Sequence, residues 1–369
     1  MAARIMKRPD ALIFAVTMAI LAIGIVMVFS ASYTTANLER GDAFYFIKRQ
    51  IAWAAIGLCF MLFAMRMDYR FWRPLAWPGF LLSLVLLAAV LMVGDEAMGA
   101  QRRLVFGPIG VQPSEIAKLA MVNFLAAYLT AKRHEIGKFT TGFLFPLATV
   151  LLITLLVILE PDLGTSIAIM GIAMLMFFAA GTPMRYLLLL ASGAIPAVLV
   201  LIKVAPYRLR RLTAFINPWQ DPLDSGWNII QSLLAVGSGG LFGLGLGESR
   251  QKFHYLPEQH TDFIFAVLAE ELGFIGGFFL ILLFLTLAWR GYRAALRAPD
   301  LYGCLLASGI TTMIVLQAAL NIAVVIALVP ATGITLPLVS SGGSSLSITL
   351  AGIGVLLNIS AAGAKPGEA

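Results

Sequence analysis

Asp262 stands where an apolar run begins, directly after the polar stretch Glu258-Gln259-His260-Thr261. A carboxylate at the mouth of a membrane-length helix is well placed to take a proton from a hydroxyl as a general base. The helix N-terminus would lower its pKa and apolar burial would raise it. The plainer alternative is that Thr261 or Asp262 only caps the helix. A second charged group opens another apolar run, in Gln112-Pro113-Ser114-Glu115-Ile116-Ala117-Lys118. Proline suits the first helical turn, and the helix dipole favours an anion there. Glu115 and Lys118, three residues apart, share a face. They read either as a structural ion pair or as the polar floor of a cavity, since charges inside a span are functional suspects.

Arginine dominates a third region, Tyr207-Arg208-Leu209-Arg210-Arg211-Leu212, which continues through Asn217-Pro218-Trp219 to Gly226-Trp227. It reads as an interfacial segment with aromatic anchors or as a diphosphate clamp, because the guanidinium fork matches phosphate oxygens. Residues Ile229 to Val236 then suggest a short amphipathic helix. Gly237 to Gly247 is glycine-rich but lacks the Gly-Lys-Ser/Thr ending of a P-loop, so it points to close backbone approach. The run from Pro330 to Ser345 is too rich in glycine and hydroxyls to be a span. Such a segment is tolerated at membrane depth where it lines a wet cavity. Its serines have no evident His–Asp partners for nucleophilic work. Three histidines without a Cys/His cluster argue against a zinc site. Glu270 and Glu271 lie about 12 Å deeper along the Asp262 helix. They point about 100° apart, so one is expected to face the bundle and the other a partner.

The elements that must position these groups are helices in a membrane. The chain has 369 residues, 60% hydrophobic and 12% charged, with a mean hydropathy of +0.91. A soluble domain carries about a quarter charged residues. Apolar runs near 11–30, 45–65, 75–93, 114–131, 143–159, 163–181, 184–204, 263–289, 302–329 and 344–361 each approach the roughly 20 residues that cross a bilayer. The expectation is an all-α polytopic bundle of about ten spans, a single membrane domain over 1–369, with a large loop at about 205–262 between the seventh and eighth spans. Glu160-Pro161-Asp162 reads as a tight surface turn splitting two spans. The first run follows Arg4, Lys7 and Arg8 but is longer than a signal-peptide core, so it is read as an uncleaved helix. Cys59 and Cys304 read as buried hydrophobes, not a disulfide.

With the N-terminus cytoplasmic, every short inside segment carries at least one of the 26 basic residues, as the positive-inside rule requires. The net charge of +7 therefore calls for no nucleic acid. Both termini are expected inside. The remaining basic residues, Arg40, Lys48 and Arg49 near the second span, Arg102 and Arg103 before the fourth, Lys118 within it, and Lys203, Arg208, Arg210, Arg211, Arg250 and Lys252 in or beside the long loop, are not explained by topology and suggest an anionic ligand.

These motifs together resemble the SEDS family (shape, elongation, division and sporulation). The resemblance rests on Gln112-Pro113-Ser114-Glu115, Pro161-Asp162-Leu163-Gly164-Thr165, Tyr255-Leu256-Pro257-Glu258, His260-Thr261-Asp262-Phe263-Ile264-Phe265 and Gly342-Gly343-Ser344-Ser345. It covers essentially the whole chain and is closer to the division and sporulation members than to the rod-shape member. It implies a peptidoglycan glycosyltransferase of ten spans that polymerises lipid II on the outer face of the bacterial cytoplasmic membrane. It implies a class B penicillin-binding protein as partner. The family's essential aspartate maps onto Asp262, its acid and base in the fourth span onto Glu115 and Lys118, and its basic residue after Gly99-Ala100-Gln101 onto Arg102. Two departures stand out: Arg103 replaces a tryptophan common after that arginine, and Ser341 replaces an aromatic residue common before the double glycine.

The expected chemistry is one inverting displacement. Asp262 takes the proton of the acceptor hydroxyl, while Arg102, Lys118, Arg208 and Arg211, or some of them, stabilise the departing diphosphate. His260, Thr261 and Ser344 are expected to contact substrate. A divalent cation (Mg or Mn) could assist the diphosphate, but no dedicated ligand cluster is visible and no cofactor is required. Readings from other classes are a lipid II transporter and a non-catalytic scaffold for a transpeptidase.

Overall fold

Asp10 starts the first helix, its side chain accepting hydrogen bonds from the backbone N–H groups of Leu12 and Ile13. Gly24 is carried within the helix where it packs against the backbone of Leu338 and Val339, and the helix ends at Gly41, which takes a left-handed conformation (φ 65°) and donates its N–H back to Asn37 O. Helix α1 therefore runs Ala11–Arg40, ten residues beyond the predicted apolar run. Its hydroxyls are absorbed locally, as when Ser32 Oγ donates to Val28 O. The computed structural model describes residues 8–97, 100–107, 109–204, 206–252 and 256–363. Gly99 and Tyr255 of the quoted motifs, and Arg4, Lys7 and Lys365 of the topology argument, lie outside the described residues.

The remaining helices are α2 (Tyr45–Arg66), α3 (Ala76–Val93), α4 (Pro113–Ala131), α5 (Phe145–Leu159), α6 (Leu163–Ala179), α7 (Met184–Val204), α8 (Pro206–Ile216), α9 (Trp227–Ser238), α10 (Ile264–Leu296), α11 (Leu301–Val325) and α12 (Gly343–Gly363). A helix occupies each of the ten predicted apolar runs. Among the described residues, seven helices are long and apolar enough to cross a membrane. Helix α4, which carries Glu115 and Lys118, and the shorter apolar stretches of α6 and α7 fall outside that set. Large apolar side chains project outward from the bundle, for example Leu81, Val85 and Met92 on α3. In water such a surface would be an aggregation hazard, whereas in a bilayer it meets lipid.

Helices α11 and α12 are the most enclosed, with 72% of each apolar window buried against 22% for α2. Helix α12 seats closely on α2 because Gly57 faces Ser347 and Leu350, and Gly354 faces the backbone of Met61. Small residues let two helices approach where lipid supplies no hydrophobic push.

The structure adds to the sequence expectations and corrects some of them. The all-α polytopic class holds, with the addition of a small antiparallel sheet, β1 (Asp95–Ala97), β2 (Ala100–Phe106) and β3 (Ile109–Val111), in the connection before α4. The 205–262 region holds two helices: α8 carries the arginine cluster, and α9 contains the short helix anticipated at Ile229 to Val236. The Glu160-Pro161-Asp162 turn is buried, with Glu160 and Asp162 at 0% and 1% exposure, because it packs under the candidate site. Both cysteines are free, but Cys59 is exposed on α2, facing out of the bundle and not into it.

Helix α10 breaks at Gly273 (φ 69°), and the glycine-rich loop repairs the break. Backbone N–H groups of Leu244 and Gly245 donate to Glu270 O and Glu271 O, and those of Phe274 and Ile275 donate to Gly240 O and Leu241 O. Two carbonyls and two N–H groups at the kink are thus satisfied by the loop, as burial demands. The two glutamate side chains are fully buried, so neither faces a partner. Glu270 accepts from Ser249 Oγ and from the N–H groups of Arg250 and Gln251. Glu271 accepts from Ser30 Oγ and pairs with Lys252 Nζ at 3.0 Å. This latch fixes the glycine-rich loop onto the first turns of α10, just beyond Asp262.

Candidate active site

The main chain around Asp262 is held from two sides. Asn321 Nδ2 on α11 donates to Asp262 O and to Ile334 O, both at 2.7 Å. Ser340 Oγ donates to Thr261 O at 2.6 Å, and Ser341 N–H donates to His260 O at 2.9 Å. The hydroxyl-rich loop before α12 therefore straps residues 260–262 in place through backbone groups, leaving the Asp262 side chain uncommitted. The N-cap position of α10 is Phe263 and has no side-chain cap, so the capping alternative for Asp262 does not hold. Among the described residues the Asp262 carboxylate accepts no hydrogen bond. Burial pushes its pKa up to about 6, reinforced by the nearby negative charges of Glu258 and Asp162 and opposed by Arg102 and Arg211.

Arg102 lies on β2. Its Nε donates to Glu160 O at 3.2 Å and its Nη2 to Pro161 O at 2.5 Å. A Cβ built on Gly333 would lie 3.5 Å from Asp262 Oδ2 and 3.9 Å from Arg102 Nη1, so the aspartate and the guanidinium face the same glycine turn. Arg102 thus spends two nitrogens on the buried α5–α6 turn and turns the third toward Asp262. That turn is shaped by Asp162, whose carboxylate caps α6 by accepting from Thr165 N–H and Oγ1. Glu160 is different. Its carboxylate is fully buried with no hydrogen-bond partner among the described residues. Burial pushes its pKa to about 8, Asp162 adds to the rise and Arg102 opposes it.

Arg211 and Arg208 share a face of α8 at i, i+3. Arg211 is exposed, lies at the edge of the site and reaches Ala331 O at 3.4 Å. Arg208 is half-buried.

A polar cavity of about 140 Å³ adjoins this centre, with His260, Thr261 and Ser344 in its wall. Thr261 Oγ1 is tied to Glu258 Oε2 at 2.6 Å, and Ser344 Oγ accepts from Gln112 N–H at 3.1 Å, joining the starts of α4 and α12. His260 packs its ring 4.4 Å from that of Phe46. The sequence reading named these three as contacts but missed Gln50 and Trp53, which complete the wall from α2. Their only sequence signal was the unexplained basic residue beside them, Arg49.

Glu115 and Lys118 sit behind that wall. Lys118 Nζ donates to Glu115 Oε1 at 2.8 Å and to Gln317 Oε1 at 2.5 Å, while Glu115 Oε2 accepts from Ser345 Oγ at 3.0 Å. Both are buried and partnered, and neither lines the cavity. The structure thus brings Asp262, Arg102 and Arg211 to one centre and His260, Thr261 and Ser344 to the adjoining cavity, and it sets the Glu115–Lys118 pair beneath. As to a metal ion, Glu258 and Asp162, the acids nearest Asp262, are engaged with Thr261 and Thr165. Among the described residues no group of three His, Cys, Asp or Glu side chains could hold one.

Comparison with known proteins gives one consistent set. The family model for FtsW, RodA and SpoVE, described as a cell cycle protein, matches residues 10–365. The chain is 48% identical over 359 residues to the stage V sporulation protein E of Bacillus subtilis, covering 95% of this chain and 97% of that one. It is 45% identical over 357 residues to a probable peptidoglycan glycosyltransferase FtsW of Geobacter metallireducens, covering 96% and 95% of the two chains. Among solved structures it superimposes on a chain of a peptidoglycan synthase complex that coordinates polymerization and crosslinking, with a TM-score of 0.80, 32% identity and coverage of 95% and 97%. It also superimposes on the rod shape determining protein RodA of Thermus thermophilus, with a TM-score of 0.70, 31% identity and coverage of 97% and 98%.

Proposed function

Because this chain belongs to the FtsW, RodA and SpoVE family and is a multi-pass membrane protein, we propose that it is a peptidoglycan glycosyltransferase that polymerises lipid II, with Asp262 as general base. The observation that carries this reading is the Asp262 carboxylate, held by its backbone, free of hydrogen bonds among the described residues, and raised to about 6 beside two arginines. A base works best with a pKa near the operating pH. A carboxylate there to cap or to pair would be engaged and acidic.

In the proposed reaction the C4 hydroxyl of the acceptor sugar attacks the anomeric carbon of the donor. The hydroxyl proton passes to Asp262, the new glycosidic C–O bond forms, and the bond to undecaprenyl diphosphate breaks. An α-linked donor gives a β-linked product in one inverting step. Charge grows on the leaving diphosphate, and Arg102 and Arg211 stabilise it most when it is greatest. Lys118 and Glu115 support the cavity floor, and Arg208 contacts the substrate from α8. The lipid tails stay in the membrane throughout.

The protein would act at the outer face of the bacterial cytoplasmic membrane, with both termini cytoplasmic, in division or sporulation. A class B penicillin-binding protein is the proposed partner, in keeping with a structural relative that belongs to a synthase complex coupling polymerization to crosslinking. The test is conversion of labelled lipid II by the purified protein with that partner. Polymer from wild type and none from Asp262→Ala supports the reading. Lipid II translocation in vesicles without polymer would replace it with the transporter, and neither activity would leave the scaffold.

A further inference from the structure

Glu160 closes α5, its backbone N–H turning back to Leu156 O and Val157 O. It is 0% exposed, and neither carboxylate oxygen has a hydrogen-bond partner among the described residues. Holding a charge in such a place is costly, so an acid there keeps its proton unless a cation draws it off. A cation does lie beside it. Arg102 Nε donates to Glu160 O at 3.2 Å and Nη2 donates to Pro161 O. The guanidinium grips the main chain of this residue and bypasses its carboxylate. An ionised carboxylate next to a guanidinium takes it in a two-pronged pair, whereas a neutral acid leaves it alone.

The surrounding charges make that neutrality useful. Asp162, at the start of α6, and Arg102, on β2, are the charged groups whose fields reach Glu160. Asp162 is committed to Thr165. On its other side Arg102 faces the Gly333 turn together with Asp262, whose own field comes from Glu258, Asp162, Arg102 and Arg211. With Glu160 ionised, four carboxylates would surround two guanidinium groups before any anionic substrate arrived. Protonation of Glu160 removes the one that sits on the turn Arg102 already grips.

We propose that Glu160 is a positioning residue for Arg102: as the neutral acid it leaves the guanidinium charge to Asp262 and the departing diphosphate, and on losing its proton it draws Arg102 into an ion pair and withdraws that cation from the site. This rests on the polymerase reading, in which Arg102 stabilises the leaving group. The proton of Glu160 passes to water, and Arg102 exchanges its carbonyl acceptors for the carboxylate. Burial places this step near pH 8, with Asp162 raising it and Arg102 opposing the rise. It therefore falls on the alkaline side of the Asp262 titration.

Two readouts on the full-length protein in detergent test the proposal. The first is the infrared difference spectrum between wild type and Glu160→Gln. It should show a protonated carboxyl band at neutral pH that disappears as pH rises through about 8. In an Arg102→Ala background the same band should persist to higher pH, because the opposing cation is gone. A Glu160 that only fills space would titrate at the same point with or without Arg102. The second readout is kcat/KM for lipid II polymerisation with the transpeptidase partner. Above about pH 8 the wild-type value should fall about tenfold for each pH unit. It should level off about 100-fold down, at the rate of Arg102→Ala, since a captured arginine serves no better than an absent one. Glu160→Gln, which mimics the neutral acid in shape, should abolish that fall, and Arg102→Ala should lack it too. Monodisperse elution at each pH separates the fall from unfolding. The proposal is overturned if the carboxyl band is absent at neutral pH, if Arg102→Ala leaves its titration unmoved, or if the alkaline fall survives in Glu160→Gln. A band that titrates and moves with Arg102, in a protein that makes no polymer at any pH, would sink the polymerase reading and keep the Glu160–Arg102 coupling. Polymer whose alkaline limb ignores Glu160 would sink the positioning role alone.

Discussion

Two regions bury charge in this molecule, and they do so in opposite ways. In the latch below Asp262, and in the Glu115–Lys118 pair, every buried carboxylate is engaged: Glu271 by Lys252 and Ser30, Glu270 by Ser249 and two backbone amides, Glu115 by Lys118 and Ser345. Around the candidate centre, the buried Glu160 carboxylate has no hydrogen-bond partner among the described residues, and the half-buried Asp262 carboxylate accepts none from them. Burying an ion is tolerable when geometry satisfies it and costly when it does not. The satisfied clusters hold the helices in register. The unsatisfied groups are maintained by their surroundings, which is the signature of a site awaiting a ligand or a proton.

The contrast breaks most visibly if one partner of a satisfied pair is removed. Lys252→Met or Lys118→Met should each cost about 3 to 5 kcal/mol by leaving a carboxylate unpaired in the interior. Thermal unfolding in detergent would show it, and Lys252→Met/Glu271→Gln should recover part of the loss. If Lys118→Met instead lowered turnover at unchanged stability, Lys118 would belong with the catalytic group.

A smaller effect is expected from the cations at the centre. Arg102→Ala removes a donor aimed into a partly enclosed site and should slow polymerisation about 100-fold. Arg211 is exposed, so Arg211→Ala should cost about tenfold, with the deficit narrowing at high salt. Equal losses at both, independent of salt, would contradict the unequal roles assigned to them.

The smallest effect concerns stability against pH. Glu160 titrates near 8 in the folded protein against an ordinary value of 4.5. Its folded pKa is raised, so an unfolded chain loses that proton first, and stability declines as pH rises from about 4.5 to about 8. Glu160→Gln should flatten this decline. Melting curves across that range that stay parallel for the two proteins would show that Glu160 is not held neutral.

Much of this was readable in the residues. The helices fell where the apolar runs lay, Pro113 marked a helix start that the structure keeps, and Glu160-Pro161-Asp162 marked the division between two helices. Asp262 was legible because a carboxylate at the edge of an apolar run has few plain explanations. The break at Gly273 was not, since one glycine in a long apolar helix carries no sign of the loop that repairs it. The sheet at 95–111 escaped because its outer strands are three residues each and show no alternation to read. Glu160 was assigned to the surface because its charge argued against burial. Only the three-dimensional packing of β2 against the α5–α6 turn shows Arg102 closing over it. The polar cavity joins α2, β2 and α12, and residues about 290 positions apart leave no local pattern.

The most direct measurement is the pH dependence of kcat/KM for lipid II polymerisation by wild type and Asp262→Asn. The account predicts a wild-type rate that rises with pH through about 6 as Asp262 loses its proton. It predicts a loss of about 100- to 10,000-fold in Asp262→Asn, which should fold normally and melt no lower than wild type at neutral pH because a poorly solvated charge is gone. An Asp262→Asn protein that keeps wild-type turnover, or whose residual rate keeps the same rise near pH 6, would contradict the assignment of Asp262 as the base.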